Sequence, residues 1–177
     1  MTDQTIYLAG GCFWGTEKFF EQFDGVIETE TGYANGPDEW TSCKEAGGSK
    51  AGPTYEEVCM SSGHAETVRI VYDPSVLPLR KILDYYFMTI DPVSVNRQGN
   101  DVGIQYRTGI YYTDEAQKLI AEEKMAEVSK ELGRPLAVEL LPLSNFYPAE
   151  EYHQKYLDKN PGGYCHIPAR LLNLPRA

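Results

Sequence analysis

Hydrophobic positions in this chain change period repeatedly. Thr5 to Ala9 sets Ile6 and Leu8 against Tyr7 and Ala9, the two-residue alternation of a strand. Gly10-Gly11 breaks it. From Trp14 the spacing turns helical, with Phe19, Phe20 and Phe23 on one face, and Asp24-Gly25 ends the helix. Val26 to Tyr33 alternates again. Gly36 to Gly52, rich in Gly, Ser, Lys and acids, is expected to be a long loop. Ala65 to Tyr72 reads as a strand closed by Asp73-Pro74. Pro78 to Ile90 reads as a helix with Leu79, Ile82, Leu83, Tyr86 and Phe87 on one side. A polar loop over Asp91 to Asp101 leads into a strand from Gln105 to Tyr112. Thr113 or Asp114 caps a helix that runs to about Leu132 and stops at Gly133. A strand is expected over Val138 to Leu143, a short helix over Pro148 to Leu157, and a loop from Asn160 to the end.

The chain carries no internal repeat, low-complexity tract or separating linker, so residues 1–177 are expected to form one domain. Short, few strands interleaved with helices favour an α+β fold, a two-layer α/β sandwich, over a large doubly wound sheet. The net charge of −10 argues against nucleic acid or an anionic membrane as partner, since both need clustered Lys and Arg. No apolar run is long enough to span a bilayer. Four cysteines do not make a disulfide scaffold, and Met1 to Asp3 runs straight into a strand without a basic or apolar leader. The expected setting is cytoplasmic, with reduced thiols.

That changes how Gly10-Gly11-Cys12-Phe13-Trp14-Gly15 reads. A cysteine is most often a small buried hydrophobe. Cys12 instead follows a strand and opens a helix, where unpaired N–H groups and the helix dipole favour thiolate over thiol, so its pKa is expected to fall below the free value of ~8.5. The glycines allow a tight turn and close approach of another molecule. Phe13 and Trp14 beside a nucleophile suggest a small apolar pocket; the plainer alternative is that both rings anchor the helix start in the core.

Three further segments carry chemistry. Residues 53–66, PTYEEVCMSSGHAE, place Tyr55, His64 and Glu66 around a turn that feeds a strand. A lone Glu at a strand mouth is ordinarily solvated. Cys59 in the same segment reads as packed. Residues 96–107, NRQGNDVGIQYR, concentrate hydrogen-bonding groups beyond what a surface loop needs, with Asp101 and Tyr106 as candidates. Residues 160–168, NPGGYCHIP, put Cys165 in a tail made mobile by Gly162-Gly163, from which it can reach a cysteine distant in sequence.

Taken together, Gly11-Cys12-Phe13-Trp14-Gly15, Gly63-His64-Ala65-Glu66, Gln98-Gly99-Asn100-Asp101 with Gly103 and Gln105-Tyr106-Arg107, and Asn160-Pro161 with Gly163-Tyr164-Cys165 resemble the peptide methionine sulfoxide reductase A family over nearly the whole chain. The resemblance implies a two-layer sandwich with a ferredoxin-like core and reduction of methionine-(S)-sulfoxide, free or in oxidised proteins. It implies Cys12 as nucleophile, Phe13 and Trp14 around the sulfoxide methyl, Glu66 as proton donor helped by Tyr55 and Tyr106, and Asp101 on the polar side of the pocket. It further implies Cys165 as the resolving thiol, a Cys12–Cys165 disulfide reduced by thioredoxin, and neither cofactor nor metal.

Those residue types suit the reaction. A sulfoxide oxygen leaves only once protonated, and thiolate attack then yields methionine and a cysteine sulfenic acid, which a second thiol condenses to a disulfide. Glu66 must then be protonated near pH 7, a bias of about 3–4 kcal/mol from its free pKa of ~4.3, and burial beside Phe13 and Trp14 is the expected source. Two departures stand out. No cysteine follows Cys165, so a three-thiol relay is not expected. The segment from Gly36 to Gly52 looks longer than usual in the family; it holds Cys43 and reads as a surface insertion.

Three rival readings remain. A Cys-His-Asp hydrolase or acyltransferase would combine Cys12 with His64 or His153 and Asp101. A nucleophile elbow needs Gly two residues either side; Gly10 fits, but Trp14 fills the other position. A zinc module would gather Cys12, Cys43, Cys59 and Cys165 with His64, His153 and His166, without CxxC or HExxH spacing. A non-catalytic peptide-binding module stands on fold grounds alone.

Overall fold

The computed structural model describes residues 2–37 and 52–175. The expected Gly36–Gly52 insertion, apart from its ends, lies outside the described residues, as does Cys43. The elements are β1 (Gln4–Gly10), α1 (Phe13–Phe20), β2 (Val26–Ala34), α2 (Tyr55–Cys59), β3 (Ala65–Tyr72), α3 (Leu79–Thr89), β4 (Arg97–Gln98), β5 (Asp101–Val102), β6 (Thr108–Tyr112), α4 (Glu115–Leu132), β7 (Glu139–Pro142), β8 (Phe146–Pro148) and α5 (Tyr156–Lys159). Six strands form one mixed sheet in the order β7-β6-β1-β3-β2-β8, antiparallel except for the β6–β7 pair; β4 and β5 make a separate hairpin.

Register follows from alternation. Leu8 faces Val68 on one side and Ile110 on the other, and Ile6 faces Ile70. These side chains are fully buried in one core with Phe13, Phe19 and Phe20 of α1 and Ile82, Leu83 and Tyr86 of α3. Each such side chain contributes about 1.5–3 kcal/mol by leaving water. Ala9, Ala34, Ala65 and Tyr111 point to the opposite face and pack with Tyr7 and Phe146. Helix α4 starts where expected: the Asp114 side chain accepts from the Gln117 N–H at 2.8 Å, and Gly133 closes it in the left-handed region.

The structure departs from the sequence expectations at several places, the unexpected β8 and the β4–β5 hairpin among them. Residues 53–66 hold a helix, α2, before the turn, because the Thr54 side chain accepts from the Glu57 N–H. Cys59 ends α2 exposed, not packed. The strand expected from Gln105 starts only at Thr108, since Ile104–Tyr106 forms a 3-10 turn closed by Arg107 N–H donating to the Ile104 carbonyl. In place of the helix expected over Pro148–Leu157, Pro148 ends β8, Glu151–His153 makes a 3-10 turn, and the short α5 starts only after Lys155, whose φ is +54°. There the buried Glu17 carboxylate of α1 accepts from the Lys155 backbone N–H at 2.7 Å and from the Thr29 hydroxyl at 2.9 Å. The tail after Asn160 is irregular, as expected, but it is held down: Ile167 and Leu171 are buried, and Gln22 bonds the Leu171 carbonyl and the Leu174 N–H.

Candidate active site

One end of the sheet gathers the reactive groups. β1 and β2 finish there and β3 begins there, so antiparallel pairing brings together residues distant in sequence. Gly11, at φ +85°, turns the chain out of β1, and Cys12 takes the N-cap position of α1. Only glycine suits that turn. A Cβ on Gly11 would sit 2.7 Å from the Gln98 Cβ. Gln98 cannot readily yield, because its amide accepts from the Asp91 N–H at 2.8 Å and donates to the Asp91 carbonyl at 3.0 Å. His166 closes the other side, its Nε2–H donating to the Gly10 carbonyl at 2.9 Å.

Glu66 stands opposite Tyr33 on β3, in the same alternate row as Val68, Ile70 and Tyr72. The two-residue period therefore aims a carboxyl into the helix-facing core, and only 1% of Glu66 is exposed. The Phe13 N–H donates to Glu66 Oε1 at 3.2 Å, one residue from the Cys12 sulfur, while Oε2 has no partner among the described residues. Burial drives the Glu66 pKa up to about 8; the Phe13 N–H opposes this and the charge of Asp101 adds to it. The carboxyl is thus neutral at pH 7.

The cysteine departs from expectation. Burial, then the Glu66 charge, push the Cys12 thiol above its ordinary range, with smaller upward contributions from Asp101 and Cys165. The Trp14 backbone N–H lowers it, as a helix start should, but is outweighed. Cys12 is only 7% exposed, so the helix start favours the thiolate while desolvation, the larger effect, favours the thiol.

Aromatic rings wall the site. Trp14 lies flat on Tyr156, centroids 3.7 Å apart, and its Nε1–H donates to His153 Nδ1 at 2.9 Å. Phe13 meets Tyr33 and His153, and Tyr55 meets His153 at 4.5 Å. Glu150 fastens two walls together, accepting from the Tyr33 hydroxyl at 3.0 Å and the Tyr55 N–H at 3.1 Å. Tyr55 and Tyr106 are both half-buried phenols pushed upward by burial first. The Glu66 charge raises both further, and Asp101 and Cys12 also act on Tyr106. Both hydroxyls therefore keep their protons and can donate. Asp101 accepts from the Tyr164 hydroxyl at 2.9 Å. Cys12, Cys59 and Cys165 are free thiols.

The structure thus brings Cys12, Phe13, Trp14, Tyr55, Glu66, Asp101, Tyr106 and Cys165 to one end of the sheet. It adds Tyr33, Glu150 and Tyr156, which the sequence left unmarked, and gives new places to His153, expected only as a base or zinc ligand, and to Tyr164, which appeared only within a motif. The signal for Glu150, His153 and Tyr156 was faint, since they fall in a stretch that reads as an ordinary amphipathic helix. Among the described residues no group of three or more His, Cys, Asp or Glu is placed to share a metal ion.

The family model described as peptide methionine sulfoxide reductase matches residues 4–174. The chain belongs to the peptide methionine sulfoxide reductase family. It is 55% identical over 166 residues to a peptide methionine sulfoxide reductase MsrA of Lachnoclostridium phytofermentans, covering 93% of each chain. Among solved structures it is similar to reduced Mxr1 from Saccharomyces cerevisiae, with a TM-score of 0.85 and 36% identity over 99% of this chain and 93% of that one. Mxr1 in complex with Trx2 matches at a TM-score of 0.58 and 25% identity, over 87% of this chain and 84% of that one. Among the described residues no helix is long and apolar enough to cross a membrane.

Proposed function

We infer that this protein reduces methionine sulfoxide, free or in oxidised proteins, to methionine, and that it takes the S epimer. The observation that carries the reading is the buried, neutral Glu66 carboxyl bonded to the backbone next to Cys12. An acid kept protonated at pH 7 has little structural purpose, and it suits a leaving oxygen that must be protonated.

The substrate methyl lies against Phe13 and Trp14, whose rings Tyr156, His153 and Tyr33 hold rigidly. The sulfoxide oxygen faces Glu66, Tyr55 and Tyr106. Cys12 thiolate attacks the sulfoxide sulfur as Glu66 gives its proton to the oxygen, with the two phenols as supporting donors. The substrate S–O bond then breaks and the hydroxyl bonds to the Cys12 sulfur; the transient S–S bond breaks with its electron pair going to the substrate sulfur, and methionine departs. Cys12 is left as a sulfenic acid, a reversible oxidation state. While Glu66 is neutral, its charge no longer opposes the Cys12 thiolate, so one proton on Glu66 serves both ends of the step. Asp101, held by Tyr164, lines the polar side. Cys165 then condenses with the sulfenic acid to a disulfide. Thioredoxin reduces that disulfide, a reading supported by the likeness to Mxr1 bound to Trx2. A cytosolic setting fits a cycle that starts from free thiols.

The four central strands support a two-layer sandwich with a ferredoxin-like core: their order is β6-β1-β3-β2, with α1 joining β1 to β2 and α3 following β3 before β6. All of residues 1–177 are read as one domain.

The hydrolase reading lacks its base. His64 bonds Ser62, and His153 Nδ1 is taken by Trp14, while the titratable groups that act on Cys12 are Glu66, Asp101 and Cys165. The test is a dithiothreitol-driven assay on the two separated sulfoxide epimers, with Cys12→Ser as control. Methionine from the S epimer alone, lost in the variant, is the expected result; equal rates on both epimers, or activity in Cys12→Ser, would overturn the assignment.

A further inference from the structure

His166 follows the resolving thiol directly and has no part in the chemistry so far. Its Nε2–H donates to the Gly10 carbonyl, so Nε2 carries the proton and Nδ1 carries a lone pair. Nδ1 is buried and has no partner among the described residues. A buried acceptor without a donor is unusual and calls for a use. The surroundings of Gly15 supply one. A Cβ built on Gly15 would lie 3.0 Å from Cys165 Sγ and 3.3 Å from His166 Nδ1. Sulfur and lone pair therefore face the same bare patch of α1. Cys12 caps the helix to which Gly15 belongs, three residues before it, and Cys165 is near enough for its charge to act on the Cys12 thiol. The patch thus lies one turn from the sulfur that becomes oxidised.

We propose that His166 Nδ1 accepts the Cys165 thiol proton as Cys165 attacks the Cys12 sulfenic acid. In the resting state the Cys165 S–H points at the Ile167 carbonyl, 3.5 Å away. Burial raises its pKa, so a free thiol there is a weak nucleophile until it loses its proton. Burial also lowers the His166 pKa, which keeps the imidazole neutral and able to accept. The step is balanced. The Cys165 S–H bond breaks and its proton moves to Nδ1. The new thiolate forms an S–S bond to Cys12, and the S–O bond of the sulfenic acid breaks. The oxygen leaves as water, taking its second proton back from Nδ1. Cys165 is oxidised, the sulfenic sulfur is reduced, and no outside oxidant enters. The bare Cα of Gly15 leaves the space through which the sulfur travels.

The proposal rests on the reductase reading with Cys12 and Cys165 as the thiol pair. The test mixes reduced enzyme with excess methionine sulfoxide, without reductant, and quenches at intervals. Methionine and the Cys12–Cys165 disulfide are counted in the same samples by mass spectrometry. Gln at 166 keeps an N–H donor near the Nε2 position for Gly10 and removes the Nδ1 lone pair. In His166→Gln the rate of disulfide formation relative to methionine release should fall by about 10²-fold or more, the usual scale of a lost acid–base group. In His166→Ala the same step should be slow and should be quickened by added imidazole. Disulfide formation that keeps pace with methionine release in His166→Gln overturns the proposal, and so does a slow His166→Ala that imidazole does not speed. Failure of the reductase reading looks different: the wild type would then release no methionine.

Discussion

Replacing Glu66 by Gln should make the enzyme more stable and nearly inactive, and the stability gain should depend on pH. The folded state holds the Glu66 proton with a pKa of about 8, against 4.5 for an unperturbed glutamate. Unfolding therefore releases that proton between those values, and stability falls as pH rises through them. The folded state's burden from this one group is about 1 kcal/mol at pH 5, about 3 kcal/mol at pH 7 and about 5 kcal/mol well above pH 8. Gln has almost the same shape, can still accept from the Phe13 N–H, and does not titrate. Glu66→Gln should then melt about 2–4 °C above wild type at pH 5 and about 6–12 °C above it at pH 7. Sulfoxide reduction should drop by about 10²–10⁴-fold. Wild-type activity should decline as pH rises through 8, and the residual activity of the variant should show no such decline. Calorimetry of both proteins from pH 5 to 8, with methionine release followed in parallel, measures all three. A melting difference that stays flat across that range would refute the claim that burial holds this carboxyl protonated.

Cys12 should alkylate slowly with iodoacetamide at pH 8–9 in the wild type and faster in Glu66→Gln, because the charge that raises the thiol is gone; mass spectrometry of the Cys12 peptide reads the rate. In Cys165→Ser one methionine per chain should still form, since oxygen transfer precedes disulfide formation, while thioredoxin-supported turnover is lost; steady-state assays at limiting enzyme separate the two. Gly11→Ala should cost about 1–3 kcal/mol in urea unfolding, since alanine must take a left-handed φ against Gln98, and it should cut turnover by misplacing Cys12.

Much of this was legible in the pattern of residues. β1 and β2 announced themselves by alternation, and the glycine turn before Cys12 marked the cysteine that the proposed chemistry uses. What stayed hidden depended on contacts between distant segments. Glu17 looks like a solvated helix residue, and only the folded chain shows it taking the Lys155 N–H and breaking a helix that local periodicity supports. Part of the pocket wall comes from that stretch, so the ring contacts of His153 and Tyr156 were as illegible as the break itself. Thr54 and Glu57 carried a readable helix start, overshadowed by the turn residues Ser61, Ser62 and Gly63. The direction of the Cys12 pKa required knowing its depth, which no local pattern encodes.

The docking of residues 165–171 beside the start of α1 joins the two ends of the chain. Once Cys12 and Cys165 are linked, covalent bonds close a ring of on the order of 150 residues, nearly the whole polypeptide. A loop of that length removes conformational freedom from the unfolded chain worth about 5 kcal/mol in the chain-entropy model. In the proposed cycle the enzyme therefore alternates between a linear and an almost circular molecule. The oxidised enzyme, waiting for its reductant, is the form that resists unfolding, while the reduced, working form is the one exposed to heat and proteolysis.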